Sequence, residues 1–368
     1  MYMKFIGLRG NILEGITIAS RFSNPRGNLP ILSNVFMRAE KRGLVLKATN
    51  LEAGVVVSVQ GKCEEEGEFT VNAKLITDYL LSIPEEKVEL VVAEKKLHIT
   101  AGRYKTVIHG IEAADFPILP EIEGGSAFEV ATDSLSAALQ KTLFATSPQE
   151  MRQELSGIFF SFHPSVLTVA ATDSFRLAEQ KLACRGDGEK TLIVPHKTLQ
   201  EVLKISEGTN EKNIQIIIGE GEIAFYIGSV KVFSRLIEGQ YPEYQAIIPQ
   251  QTTTRIIVKT TDFLQAIKTT SLFSQSGLYD VHLKADAKKN QITVFSERSD
   301  VGTNTAVLDV DISGDDNEAV LNYRYLLDCV SRIREKETEL LVASSSQPVK
   351  VRAKGDSDYL YLIMPIRQ

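Results

Sequence analysis

Three stretches of this sequence carry residue types that could act on a substrate. Thr172-Asp173-Ser174 sets two hydroxyls around a carboxylate, the material of a nucleophile and its base. Five histidines, His98, His109, His163, His196 and His282, could move protons or hold a metal. Gly219-Glu220-Gly221 could turn backbone amides toward a phosphate. None has the spacing its chemistry needs. Ser174 lacks a Gly-x-Ser-x-Gly elbow. No two histidines form a His-x-x-x-His pair, and none lies near a cysteine at ligand spacing. No Gly-x-x-x-x-Gly-Lys loop is present. The expected roles are therefore structural: a turn capped by short polar side chains, surface or buried imidazoles, and a hairpin turn. Glu64, Glu65 and Glu66 read as a solvated turn.

The elements around these stretches repeat. Ala171-Thr172-Asp173-Ser174-Phe175-Arg176-Leu177 has an echo at Ala48-Thr49-Asn50-Leu51-Glu52-Ala53 and a blurred one at Phe295–Ser299. Segments 71–80, 194–203 and 321–330 each read as a helix start behind Asn72, Pro195 or Asn322. Ile76, Leu199 and Leu326 correspond, with Leu80, Leu203 and Val330 four residues on, the spacing of one buried face. A base follows at one helix position in all three: Lys74, Lys197 and Arg324. Upstream, Phe5, Ile12 and Ile16 match Phe128, Leu135 and Leu139, then Ile256, Phe263 and Ile267, a strand followed by a helix each time. Alternating strands at 44–48, 167–171 and 292–296, and at 88–92, 214–218 and 339–343, fill out each copy. The unit is domain-sized, far longer than a solenoid repeat. Three similar α+β domains are expected at 1–124, 125–250 and 251–368, each with two helices packed on antiparallel sheets.

Composition bounds the function. At 368 residues, 43% hydrophobic and 24% charged, the chain has an ordinary globular balance. No apolar run reaches the roughly 18 residues of a membrane helix, and residues 1–9 lack a signal-peptide core. Cys63, Cys184 and Cys329 are scattered and odd in number, which points to a reducing cytoplasm rather than a disulfide framework or a zinc site. A net charge of −6 argues against tight, base-reading contact with DNA, but not against loose contact through a local basic surface. The polar helix faces carry Lys74, Asp78, Gln140, Lys141, Lys197, Glu201, Lys268, Arg324 and Arg332. The C-terminus is unusually apolar, Leu360 to Arg367, and Met364-Pro365 cannot continue a central strand.

Taken together, Asn28–Asn34, Ala113–Pro117, Ala171–Leu177, Gly239–Tyr244 and the tail Met364–Arg367, in this order and spacing, resemble the bacterial beta sliding clamp, the beta subunit of DNA polymerase III. The resemblance covers the whole chain. It implies a head-to-tail homodimeric ring of three-domain subunits, with helices lining a hole for duplex DNA, and no cofactor, metal or catalytic step. It implies a nucleoid-associated cytoplasmic processivity factor that tethers the replicative polymerase, the clamp loader and other partners by short peptides. The groove for these peptides, between the second and third domains, would comprise Leu155, Thr172, Ser174, Phe175, Arg176, Leu177, Pro242, Ile247, Leu278, Asn322, Tyr325, Ser346, Pro348, Ile363, Met364, Pro365, Ile366 and Arg367. Apolar members would seat leucine or phenylalanine anchors, while Arg176, Thr172 and Asn322 would hold the peptide backbone or a carboxylate. Arg26, Gln149 and Lys197 match positions near DNA, to which the repeat adds Lys74 and Arg324. Ile108, Leu272 and Phe273 match the subunit interface.

Four positions depart from the family pattern. Phe175 stands where histidine is common, Ala246 where some relatives carry a base, and Gln153-Glu154 where some have aromatic DNA contacts. The alternatives are a clamp-like adaptor or drug-resistant second-copy clamp, and an enzyme on triplicated domains.

Overall fold

A computed structural model of the chain describes residues 2–24, 29–120, 122, 124–147, 152–275 and 277–367. Its six α-helices among the described residues are α1 (Arg9–Ser20), α2 (Ala73–Ser82), α3 (Thr132–Thr142), α4 (His196–Glu207), α5 (Thr260–Thr270) and α6 (Tyr323–Val330). The remaining elements are antiparallel strands and short 3-10 turns.

The threefold repeat is written in the strand register. Phe5 pairs with Leu90 on one side and Cys63 on the other. Phe128 does the same with Ile216 and Gly186, and Ile256 with Leu340 and Ile312. The next strands follow suit: Asn34 opposite Asn72, Gly157 opposite Pro195, Asp280 opposite Asn322. Because side chains alternate across a strand, an identical register places matching residues on the same face in every copy. Ile12 and Ile16, Leu135 and Leu139, and Phe263 and Ile267 are all buried, one turn apart on α1, α3 and α5. Each such side chain taken out of water contributes roughly 1.5–3 kcal/mol. Asn72 and Asn322 cap α2 and α6, accepting from the amides of Leu75 (3.0 Å) and Arg324 (2.9 Å).

Two compact units form. The first holds Met1–Ser136, Cys184–Gly188 and Lys197–Leu236; the second holds Ala137–Ala183, Glu189–His196 and Ile237–Gln368. In the first, strand Val230–Arg235 of the second copy pairs with strand Ala53–Val59 of the first copy. In the second, strand Tyr359–Ile363 of the third copy pairs with strand Arg176–Gly186 of the second. The two joints match: the Arg235 amide donates to the Glu52 carbonyl at 2.9 Å, and the Met364 amide to the Phe175 carbonyl at 2.8 Å. The corresponding strand of the third copy, Gly302–Asp309, is an edge with one partner, Gln291–Arg298. Among the described residues, strand Tyr104–Ile111 of the first copy pairs with Lys96–Ala101 along its length and with Thr70 and Val71 at its end.

Some local expectations change. Glu64 and Glu65 lie in a strand, Lys62–Glu65, not a turn, because the chain there pairs with Met3–Leu8 and Glu64 meets Lys4 (3.0 Å) and Lys62 (2.7 Å). On α4 the buried stripe runs Thr198, Leu199, Val202, Ile205, and Leu203 is only half-buried. Lys141 and Glu201 do not stand free: Lys141 binds Asp356 (2.9 Å) over the Tyr359 ring, and Glu201 binds Lys204 (2.7 Å).

Candidate partner-binding groove and nucleic-acid-facing helices

Thr172-Asp173-Ser174 is a turn, and its hydroxyls and carboxylate bond the backbone. Thr172 Oγ1 donates to the Arg176 carbonyl (2.6 Å) and accepts from the Ser174 amide (3.1 Å), while Asp173 Oδ1 accepts from the amides of Phe175 and Arg176. The echo folds identically. Thr49 Oγ1 donates to the Ala53 carbonyl and accepts from the Leu51 amide, and Asn50 Oδ1 accepts from the amides of Glu52 and Ala53. Ser174 and Leu51 share a φ of 76°. This left-handed conformation strains a branched leucine more than serine. The turn presents Phe175 outward, 62% exposed.

Beneath the turn lies a cluster of buried residues: Leu155, Ala170, Leu177, Ile193, Tyr241, Tyr244 and Leu362. Phe159 and Tyr241 stack at 5.0 Å, as Phe36 and Phe116 pair at 5.2 Å in the first copy. Tyr244 donates to Glu179 at 2.6 Å, and burial pushes both tyrosine hydroxyls well above their usual range. At the position matching Leu177 the first copy has Gly54. Leu119 occupies that space, since a Cβ on Gly54 would meet Leu119 Cδ2 at 2.8 Å. The first copy's version of the cleft is thus filled by its own chain.

Every residue expected in the groove falls in the second compact unit. Leu155, Leu177, Pro348 and Ile363 are buried. Phe175 (62%), Leu278 (48%) and Ile247 (43%) are exposed apolar side chains, and Pro242, Ser174, Ser346 and Arg367 are exposed as well. Met364, Pro365 and Ile366 are half-buried after the last strand ends at Ile363, the tail being tied down by the Met364 amide and by the Ile366 amide to the Val320 carbonyl (2.7 Å). Tyr325 is half-buried and its carbonyl accepts from the Tyr361 hydroxyl.

The expected polar holders are committed internally, a correction to the sequence reading. The Arg176 side chain, 11% exposed, donates to Asp173 (3.0 Å), Asp328 (2.5 Å) and the Phe144 carbonyl (2.6 Å), and lies over the Tyr325 ring at 4.5 Å. Burial alone would lower its pKa; Tyr361, Asp328 and Asp173 more than offset this and leave it raised. Thr172 closes the turn and Asn322 caps α6. Arg176 therefore sets the shape of the turn against α6. Asp173, Asp328 and Phe144, absent from the sequence-derived set, are its partners. Asp173 sits inside the Ala171–Leu177 motif; the other two had no local signal.

Of the bases expected to face DNA, Lys74 and Lys197 are exposed at the second residue of α2 and α4. Arg324 is the second residue of α6, but its guanidinium stacks on the Tyr279 ring, 3.6 Å from the centroid. Arg26 and Gln149 lie outside the described residues. Of the interface residues, Leu272 is 72% exposed and Phe273 half-buried. Ile108 is a correction: at 4% exposure it faces its own core, and strand alternation turns its neighbour Val107 outward at 47%.

Among the described residues the histidines stand apart from one another in separate surroundings. His196 Nδ1 meets Thr146 Oγ1 (2.9 Å), with burial lowering its pKa, and His282 stacks on Phe295 (4.5 Å). Among the described residues no group of three His, Cys, Asp or Glu could hold a metal ion, and no helix is long and apolar enough to cross a membrane. A separate cavity of about 440 Å³ in the first unit carries opposed charges, Glu14 and Glu211 against Arg21 and Lys204.

Three α+β copies with one register, linked strand to strand, define a protein of the DNA-clamp fold. Family profiles for the DNA polymerase III beta subunit match in order along the chain: the N-terminal domain at residues 3–120, the central domain at 129–243 and the C-terminal domain at 245–367. The chain belongs to this family, the beta sliding clamps that act as DNA polymerase processivity factors. The beta sliding clamp of Bacillus subtilis is 29% identical over 99% of this chain and 100% of its own length. The crystal structure of the Thermotoga maritima beta subunit matches with a TM-score of 0.94 at 26% identity, and that of the Bacillus subtilis clamp with 0.94 at 27%, both covering 100% of each chain.

Proposed function

We propose that this chain works as a non-catalytic processivity clamp: two copies close head to tail into a ring around duplex DNA, and each tethers partners through the groove at the Thr172–Leu177 turn. Residues 1–124, 125–250 and 251–368 are its three clamp domains. The observation that carries the reading is the pair of leftover strand edges. Each internal joint lays the last strand of one copy against the turn strand of the copy before it. Strand Tyr104–Ile111 and strand Gly302–Asp309 are the two members without such a mate among the described residues. Pairing one edge with the other from a second chain is heterologous, so it must either close a ring or run on as a filament. Exposed Val107, Leu272 and Val307 supply apolar contact, and Lys105 faces the solvent on one edge as Asp309 does on the other. Closure also covers two edges that would otherwise invite aggregation.

A ring holds DNA by topology, so weak phosphate contacts suffice and tight ones would oppose sliding. A base at the second position of α2 and α4 suits this. There a cation is disfavoured by the helix dipole, by roughly 0.3–1 kcal/mol, so its recurrence is not explained by helix stability. The partners would be duplex DNA of any sequence, the replicative polymerase, the clamp loader and other motif-bearing proteins, in the cytoplasm on the nucleoid. The test is retention on nicked circular DNA. A topological clamp stays on the circle after loading and is released when the circle is linearised. Equal retention on linear DNA, or a monomeric mass at micromolar concentration, would overturn the reading.

A further inference from the structure

The base that recurs at the second position of α2, α4 and α6 has two different environments. Among the described residues no aromatic ring lies beneath Lys74 or Lys197, whereas Arg324 has one. The residue packed before the paired strand is Ser33 in the first copy and Ser156 in the second, fixed by the shared register that begins at Asn34, Gly157 and Asp280. In the third copy that residue is Tyr279. It has a φ of 54°, its carbonyl accepts from the Tyr323 amide (2.7 Å), and its ring lies 3.6 Å from the Arg324 guanidinium carbon. Leu278, 48% exposed, precedes Tyr279, and Asn322 and Tyr325 flank Arg324. Arg324 thus stands among groove residues.

We propose that Arg324, held on Tyr279, is a specificity-determining residue of the groove that binds a carboxylate on the partner peptide. This rests on the groove reading given above. Stacking uses the face of the guanidinium; its edge also approaches the Tyr323 and Tyr279 hydroxyls, and the remaining N–H donors of its five are left for a planar acceptor. Among the described residues no carboxylate pairs with Arg324; the Tyr323 hydroxyl is its leading polar neighbour. A stacked arginine has already lost much of its side-chain freedom, so a carboxylate meets a preorganised donor pair rather than a mobile chain. Arg176, the guanidinium of the turn, is buried against Asp173 and Asp328 and serves the fold instead. The carboxylate could be an Asp or Glu side chain or the peptide's own C-terminus.

The test uses the full chain and three synthetic peptides with the same leucine and phenylalanine anchors: one with Asp between the anchors, its Asn counterpart, and the Asp peptide with an amidated C-terminus. Binding is measured by fluorescence anisotropy at low and high salt. The wild-type protein should prefer Asp over Asn by about five- to tenfold at low salt, the preference shrinking as salt rises. Arg324→Gln should bring the ratio to about one without weakening the Asn peptide. Tyr279→Leu should lower the ratio partway, and Arg324→Lys should fail to restore it fully, because a lysine presents no fork. If wild type binds the Asp and Asn peptides alike, amidation weakens binding and Arg324→Gln abolishes that amidation effect, the terminal carboxylate is the ligand and the assignment to Arg324 stands. If Arg324→Gln leaves both the Asp/Asn ratio and the amidation effect unchanged, or weakens all three peptides equally, the inference is overturned. A C-terminal truncation separates the two levels. If removing Met364 to Gln368 leaves peptide binding intact, the groove reading itself fails, and with it this assignment. If truncation abolishes binding while Arg324→Gln leaves the ratio unchanged, only the role of Arg324 fails. Arg324→Gln should also leave the salt slope of DNA binding unchanged; a drop of about one would assign it to phosphate instead.

Discussion

Arg176 reaches Asp328 across 152 residues of chain, Nη1 to Oδ2 at 2.5 Å. One end of that bond is the turn that displays Phe175, and the other is the middle of α6. Asp328 also receives Arg332, whose guanidinium lies 4.2 Å from the Phe144 ring, so one carboxylate gathers two arginines. This ion pair joins the turn to α6 through side chains.

Replacing Arg176 with Met should therefore loosen the groove as well as cost stability. Asp328 is 40% exposed and can recover water, and Asp173, at 12%, keeps the amides of Phe175 and Arg176, so the loss should be roughly 1–3 kcal/mol rather than the full cost of an orphaned buried charge. Urea unfolding measures it. Peptide affinity should fall together with stability, and Arg176→Lys should not rescue it, since one ammonium cannot reach Asp173, Asp328 and the Phe144 carbonyl at once.

Deleting Met364 to Gln368 removes two backbone tethers, to Phe175 and Val320, but leaves strand Tyr359–Ile363 paired. Peptide binding should weaken at least about tenfold, given the loss of several half-buried apolar side chains, while sedimentation still reports the dimer. Unchanged affinity in the truncated dimer would count against the groove.

Lys74→Glu with Lys197→Glu should weaken DNA contact without touching peptide affinity. Each lysine that meets a phosphate adds about one to the slope of log K against log salt, so losing both contacts should lower the slope by about two per subunit. An unchanged slope would make both lysines ordinary solvated residues.

The interface is open to a strand-edge test. Val107→Lys places charge on the exposed side of an edge strand, whereas Ile108→Val changes only the core behind it. The first should shift the protein to monomer in sedimentation equilibrium. The second should leave the dimer intact and cost about 0.5–1.5 kcal/mol of stability.

Acid should reach the third copy through Glu339. Its side chain is 2% exposed and is clamped by Arg255 and Arg352, each at 2.6 Å. Burial alone would raise its pKa, but the two arginines outweigh that and hold it below its ordinary 4.5. A depressed carboxylate stabilises the fold above its unfolded value and loses that contribution as pH falls from about 4.5 through the lower folded value. Glu339→Gln should be less stable than wild type at neutral pH, with its unfolding midpoint flatter below pH 4.5. A variant that tracks wild type throughout acid titration would remove Glu339 from the acid response.

Much of this molecule was legible in the sequence because it rests on local periodicity. The helix faces of α1, α3 and α5, the Asn72 and Asn322 caps, the hairpin at Gly219–Gly221 and the turn at Thr172–Arg176 all follow from residues within a few positions of one another. Threefold recurrence then multiplied each weak signal, and the family landmarks fell on those same repeats. What the sequence could not decide was parity and partnership. Whether Ile108 or Val107 faces outward depends on which side of its strand the core lies, and one residue reverses the answer. Whether Arg176 and Arg324 are free depends on Asp328 and Tyr279, brought to them by strand pairing over long stretches of chain. Spacing along the sequence determines which residues share a face. Only the folded sheets decide what that face meets, because the energy of a paired charge or a stacked ring depends on distances that the backbone sets from far away.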